Sequence, residues 1–159
     1  MTPAVRALEA AGVPFTRHEY EHEEGARDYG REAASALGLD PDQVFKTLLV
    51  ASGDPSRGGE VAVAIVPVSA KLSLKAAGAA LGLKRVEMCD PAVAQRVTGY
   101  VLGGISPFGQ RKALRTAIDE TCELYDVIYV SGGRRGLDVG VAPADLLRLL
   151  DAVTADLTA

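Results

Sequence analysis

Between Thr98 and Lys112 the chain reads TGYVLGGISPFGQRK, where Gly103, Gly104, Gly109 and Pro107 punctuate an otherwise apolar stretch. Adjacent glycines let the backbone approach something bulky, and proline presets the turn that follows. Ser106, Gln110, Arg111 and Lys112 place polar groups around the same bend. A loop that merely joins two elements rarely needs so many constrained positions; the ordinary alternative is a surface turn between a helix and a strand.

The flanking segments predict a mixed α/β domain. Thr2-Pro3 and Gly12 bracket a first helix, and Arg31 to Leu37 form a second, closed by Gly38. Ser73 to Leu81 and Asp90 to Gly99 delimit two more, and Pro143 opens the last, running to Leu150. From Phe15 the period becomes two, which sets Glu19, Glu21 and Glu23 on one face of an extended segment. Branched residues mark strands at Phe45 to Ser52 and Val61 to Val68, joined by a Gly/Asp/Pro/Ser tip read as disordered. Further strands are expected at Lys84–Met88, Ala113–Ile118, Val127–Ser131 and Leu137–Ala142, the last two joined by a glycine turn at Gly132 to Gly136. With no internal repeat and no linker, residues 1–159 are read as one domain with a curved central sheet.

Lys46 is the second informative position. In VFKTLLV it shares a strand face with Leu48 and Val50, opposite Phe45, Thr47 and Leu49. Burying an unpaired ammonium costs several kcal/mol, so this lysine needs a partner, a depressed pKa or a ligand. The ordinary alternative is an edge lysine whose stem packs while its head reaches water. In YVSGGRRGLDVGVA, Ser131 ends a strand at a glycine turn and Asp138 lies inside the returning strand. That carboxylate could pair with Lys46 or hold a ribose hydroxyl; a turn serine and a solvent-facing aspartate are the plain reading.

Composition removes several function classes. The net charge of −4 argues against strong, nonspecific nucleic-acid binding, DNA included. Residues 67–115 nevertheless carry eight basic and two acidic side chains, a local excess of +6 that suits weak contact with a polyanion. No apolar run approaches the ~20 residues of a membrane span, the N-terminus lacks a signal-peptide profile, and two cysteines fit a reducing cytosol. GISPFG is not a nucleophile elbow, and no P-loop or G-x-G-x-x-G is present. The only histidines, His18 and His22, lie in one segment, which disfavours a Ser-His-Asp triad. Neither cysteine has metal-ligand spacing, so no metal or cofactor is expected. Cys89 reads as an inert, half-buried thiol.

MTPAV, HEYEH, VFKTLLV, LKRVEMCDP, TGYVLGGISPFGQRK and YVSGGRRGLDV together resemble the YbaK-type aminoacyl-tRNA deacylases, specifically the bacterial Cys-tRNA(Pro) deacylases. The resemblance runs through nearly the whole chain; Cys89 departs from it, small residues being usual there. It implies one α/β domain with a barrel-like sheet, similar to the editing domain inserted in bacterial prolyl-tRNA synthetases, whose cleft admits the 3′ end of mischarged tRNA. The family's essential lysine falls on Lys46 and its substrate-lining positions on Tyr20, Thr47, Ser131 and Asp138. Its Gly-x-x-x-Pro loop falls on Gly103 to Pro107. On that basis Gly103 and Gly104 are expected to offer amides to the ester carbonyl, with Ser106 and Pro107 beside them. Arg111 and Lys112 are expected to touch tRNA, and prolyl-tRNA synthetase is the implied partner. The resemblance also implies attack by the substrate's own thiol, with release of a thiolactone. An Ala-tRNA(Pro) or broader deacylase, a non-catalytic tRNA-binding module and a small-molecule thioesterase are the competing readings.

Overall fold

A computed structural model describes residues 1–159. Local sequence signals account for most of its elements. Helix α1 (Pro3–Ala10) starts where the Thr2 hydroxyl accepts the Val5 amide, and α2 (Tyr29–Leu37) is capped by Asp28 and stopped by left-handed Gly38. Helices α3 (Leu74–Leu81), α4 (Pro91–Thr98) and α5 (Pro143–Leu150) begin and end at the expected residues, with Ser73 and Asp90 as caps of the first two. None of the helices is long and apolar enough to cross a membrane.

The strands divide into two sheets where one curved sheet was expected. Strands β1 (Phe15–Glu19), β6 (Ile128–Arg134) and β7 (Leu137–Val141) form an antiparallel sheet in the order β1-β7-β6. Strands β2 (Phe45–Ser52), β3 (Glu60–Pro67), β4 (Val86–Met88), β5 (Thr116–Asp119) and β8 (Val153–Ala155) form the other, in the order β4-β2-β3-β5-β8. A single parallel bridge, Val44 to Tyr129, joins them. The chain before β2 bonds to both. The Gln43 carbonyl accepts from Tyr129 in one sheet, while the Val44 carbonyl accepts from Val68 beside the other.

Three local expectations are corrected. The acidic alternation stops at Glu19, since the Tyr20 amide donates to the Gly136 carbonyl and Glu32 captures both His22 and the Glu23 amide. The tip between β2 and β3 is an ordered helical turn, Pro55–Arg57, because Asp54 accepts the Ser56 amide and hydroxyl at 2.9 and 2.7 Å. Strand β8 was not foreseen: three residues carry no readable period, and only their pairing with β5 defines them.

Burial follows the alternation. Phe45 and Leu49 of β2, with Leu137, Val139 and Val141 of β7, enter the larger core cluster. Val50, Ala62, Ala64 and Val66 face a smaller cluster that includes Ala77 and Leu81 of α3. Ala34 of α2 closes over Val44 and Val68, which places this helix across the junction of the two sheets.

Candidate active site

At that junction opens a cleft of about 500 Å³, within the usual range for small-ligand sites. Its walls are the first turn of α2 (with Arg27 and Asp28 before it), the start of β2, the glycine loop, and the face of β6 and β7 turned away from the core. It gathers Lys46, Thr47, Tyr20, Ser131, Asp138 and Gly103, residues spread over more than a hundred positions.

Lys46 lies on the Leu48 side of β2, as its alternation requires, and is partly buried. Gly30 is why it is not smothered: a Cβ there would collide with Val68 and sit 3.9 Å from the Lys46 Cβ, so only glycine lets α2 cross this close. Burial pulls the Lys46 ammonium below the ordinary lysine range, Asp28 opposes that shift and Arg31 adds to it. Asp28 is itself engaged by Arg31 at 3.6 Å, and Lys46 has no ion pair of its own.

Asp138 is opposite Ser131 in the β6–β7 register and only 5% exposed. It does not pair with Lys46. Burial alone pushes its carboxyl up to about 6, with no cation or hydrogen bond to bring it back. Burial, then the neighbouring Asp138, also raise Tyr20. The Thr47 hydroxyl is fully enclosed and has no hydrogen-bond partner. Ser131 accepts the Gly133 amide at 3.2 Å. Asp138, a cleft residue with no partner within the chain, is a position for a ligand to fill, whereas the Thr47 hydroxyl is walled off.

The glycine loop is held from both sides, but its two glycines differ. Gly103 has φ +81°, and a Cβ on it would lie 2.6 Å from Cγ of the Tyr29 ring. Gly104 presses on the other wall, where a Cβ would come 2.8 Å from the Arg134 Cα. The Gly104 amide is consumed by the Val101 carbonyl at 2.9 Å, whereas the amides of Gly103 and Ile105 find no acceptor within the chain. Of the expected glycine pair, then, Gly103 lines the cleft and Gly104 serves the packing of the loop.

Four other expected positions fall outside the cleft. Ser106 is fully buried and accepts the Phe108 amide at 3.2 Å, holding the turn that Pro107 continues. Arg111 lies across Gly99, and Lys112 lines two smaller depressions that share no residue with the cleft. Sequence reasoning missed Arg27, Asp28, Tyr29 and Gly30; a glycine inside the first turn of a helix was the available signal. Neither cysteine lines the cleft, and burial raises both thiols, Cys122 to about 11. Neither thiol is therefore an activated nucleophile for this place.

The chain as a whole is similar to known proteins. Residues 23–149 match the model of the aminoacyl-tRNA editing domain. A protein of Enterococcus faecalis, named as a candidate Cys-tRNA(Pro)/Cys-tRNA(Cys) deacylase, EbsC, is 34% identical over 157 residues, 99% of this chain and 93% of the relative. The crystal structure of a candidate trans-editing enzyme for prolyl tRNA synthetase superposes with a TM-score of 0.80 at 25% identity, covering 100% of this chain and 99% of the other. The hypothetical protein APE2540 shares the fold, with a TM-score of 0.84 at 22% identity and 99% coverage of both chains. With four-fifths of its length matched by that model, and a cleft built where the loop, the lysine and the strand aspartate meet, the chain belongs to the aminoacyl-tRNA editing domain family.

Proposed function

We propose that this protein is a trans-editing deacylase that removes cysteine from mischarged tRNA, Cys-tRNA(Pro) foremost, with prolyl-tRNA synthetase as the source of the error. Cysteine and proline are close in size, and one methylene changes binding by only ~1–3 kcal/mol, so a synthetase pocket excludes cysteine poorly and a second site must correct it. The observation that carries the reading is the juxtaposition in one cleft of an unpaired ammonium, an unpaired carboxylate and free loop amides, with neither cysteine in its lining.

Each group meets a part of an aminoacyl ester. The Asp138 carboxylate suits the α-ammonium of the amino acid. The Lys46 ammonium suits the terminal adenosine and its phosphate. The amides of Gly103 and Ile105 suit the carbonyl oxygen as negative charge develops on it. The substrate then supplies the nucleophile: its sulfur attacks its own carbonyl carbon, the bond from that carbon to the ribose oxygen breaks, and the thiol proton ends on the ribose hydroxyl. The products are a thiolactone and free tRNA. A reacting pair held in line reaches effective molarities of ~10⁵ M or more, which replaces a general base of high power.

The test is a deacylation panel with Cys-, Ala- and homocysteine-charged tRNA, for the wild type and for Lys46→Ala and Lys46→Arg. Fast loss of cysteine, little loss of alanine and a large defect in Lys46→Ala are expected. Activity in Lys46→Arg would assign the lysine to positioning rather than proton transfer, since a guanidinium does not deprotonate. Cysteine loss no faster than the spontaneous rate would refute the reading.

A further inference from the structure

The basic residues that sequence pointed to, Arg111 and Lys112, do not line the cleft, yet its rim carries other cations. Arg135 occupies the turn between β6 and β7 and is exposed. Its Nε donates to the Leu102 carbonyl at 2.8 Å and a terminal nitrogen to the Tyr29 hydroxyl at 3.1 Å, with the guanidinium 4.9 Å from the Tyr29 ring centroid. Leu102 and Tyr29 are both cleft residues, so these contacts hold the cation at the entrance. No carboxylate neutralises it, whereas its neighbour Arg134 is tied to Glu19 at 3.0 Å. Three of its five N–H groups are left unused. Arg27, also exposed and without an ion pair, lines the same cleft.

Next to Arg135 the loop presents bare apolar surface, with Val101 55% and Leu102 36% exposed. These two aliphatic residues adjoin a fixed guanidinium that no carboxylate neutralises. Cation and apolar surface together match a nucleotide, which has a charged phosphate and a flat face. We infer that Arg135, braced by Tyr29 and Leu102, anchors a backbone phosphate of the unpaired 3′ end of the RNA, while Val101 and Leu102 receive a base. This rests on the deacylase reading for its choice of RNA. A guanidinium already immobilised loses little side-chain freedom on binding, which makes it an efficient anchor.

The test is binding of an RNA minihelix carrying a non-hydrolysable, amide-linked 3′-cysteine, against the same amide on adenosine alone, which has no phosphate. Arg135→Gln removes the charge and keeps hydrogen bonds for the loop. We expect it to weaken minihelix binding about fivefold and lower the salt slope by about 0.7, the value for one phosphate of a single strand, with less than a twofold effect on the nucleoside. Arg135→Lys should restore the salt slope. Unaltered minihelix affinity and slope in Arg135→Gln would overturn the inference, as would an equal loss on the nucleoside, which would make Arg135 a brace for the loop only. Failure of the deacylase reading looks different: the wild type would bind the minihelix but leave Cys-tRNA intact.

Discussion

Asp138→Asn should make the protein more stable, and by an amount that depends on pH. In the native state the carboxyl is pushed from 3.8 to about 6 by burial, and each tenfold change in proton affinity corresponds to about 1.4 kcal/mol. Below pH 4 both the folded and unfolded chains hold the proton and the burial penalty is absent. Between pH 4 and 6 the native state retains a proton that the unfolded chain has released, so native stability falls as pH rises. Above pH 6 the full penalty of about 3 kcal/mol is present. Asparagine has nearly the same shape and never ionises, so it escapes that cost. Urea unfolding of both proteins, followed by circular dichroism from pH 4 to 8, measures the difference directly, because titrations common to both cancel. The variant's advantage should grow from about 0.5 kcal/mol at pH 4 to about 3 kcal/mol at pH 8. Its affinity for the aminoacyl end should fall at the same time. An advantage independent of pH, or a variant less stable than wild type at pH 8, would refute the argument that this carboxylate stands unpaired for the sake of a ligand.

Thr47→Val should act in the same sense on a smaller scale: removing the enclosed, partnerless hydroxyl should stabilise the fold by about 1 kcal/mol in urea titrations. Gly103→Ala should do the opposite. The residue has φ +81° and no room beside Tyr29, so a loss of at least ~1 kcal/mol in thermal unfolding should accompany a fall in kcat as the free amide is displaced.

Much of the chain was legible because its signals are short-ranged. Thr2, Ser73 and Asp90 cap helices through contacts within three residues, and the period of β2 put Lys46 on the Leu48 face before any neighbour was known. Motif likeness pointed to Tyr20, Thr47, Gly103, Ser131 and Asp138, all of which line one cleft. It could not tell that Ser106 holds its own turn or that the Gly104 amide is already spoken for. Of the two roles open to Asp138, an ion pair with Lys46 is not formed.

What the amino-acid order determined alone was therefore most of the elements, the face that Lys46 takes, and the family. The tertiary structure decided the rest: two sheets instead of one, a buried carboxylate without a counter-ion, and cations at the mouth that composition had located elsewhere. The reason is distance along the chain. Arg135 meets Leu102 and Tyr29 across 33 and 106 residues, and no local propensity encodes such contacts. They exist only once α2 has crossed the sheet junction and the glycine loop has been pressed between Tyr29 and the β6–β7 turn.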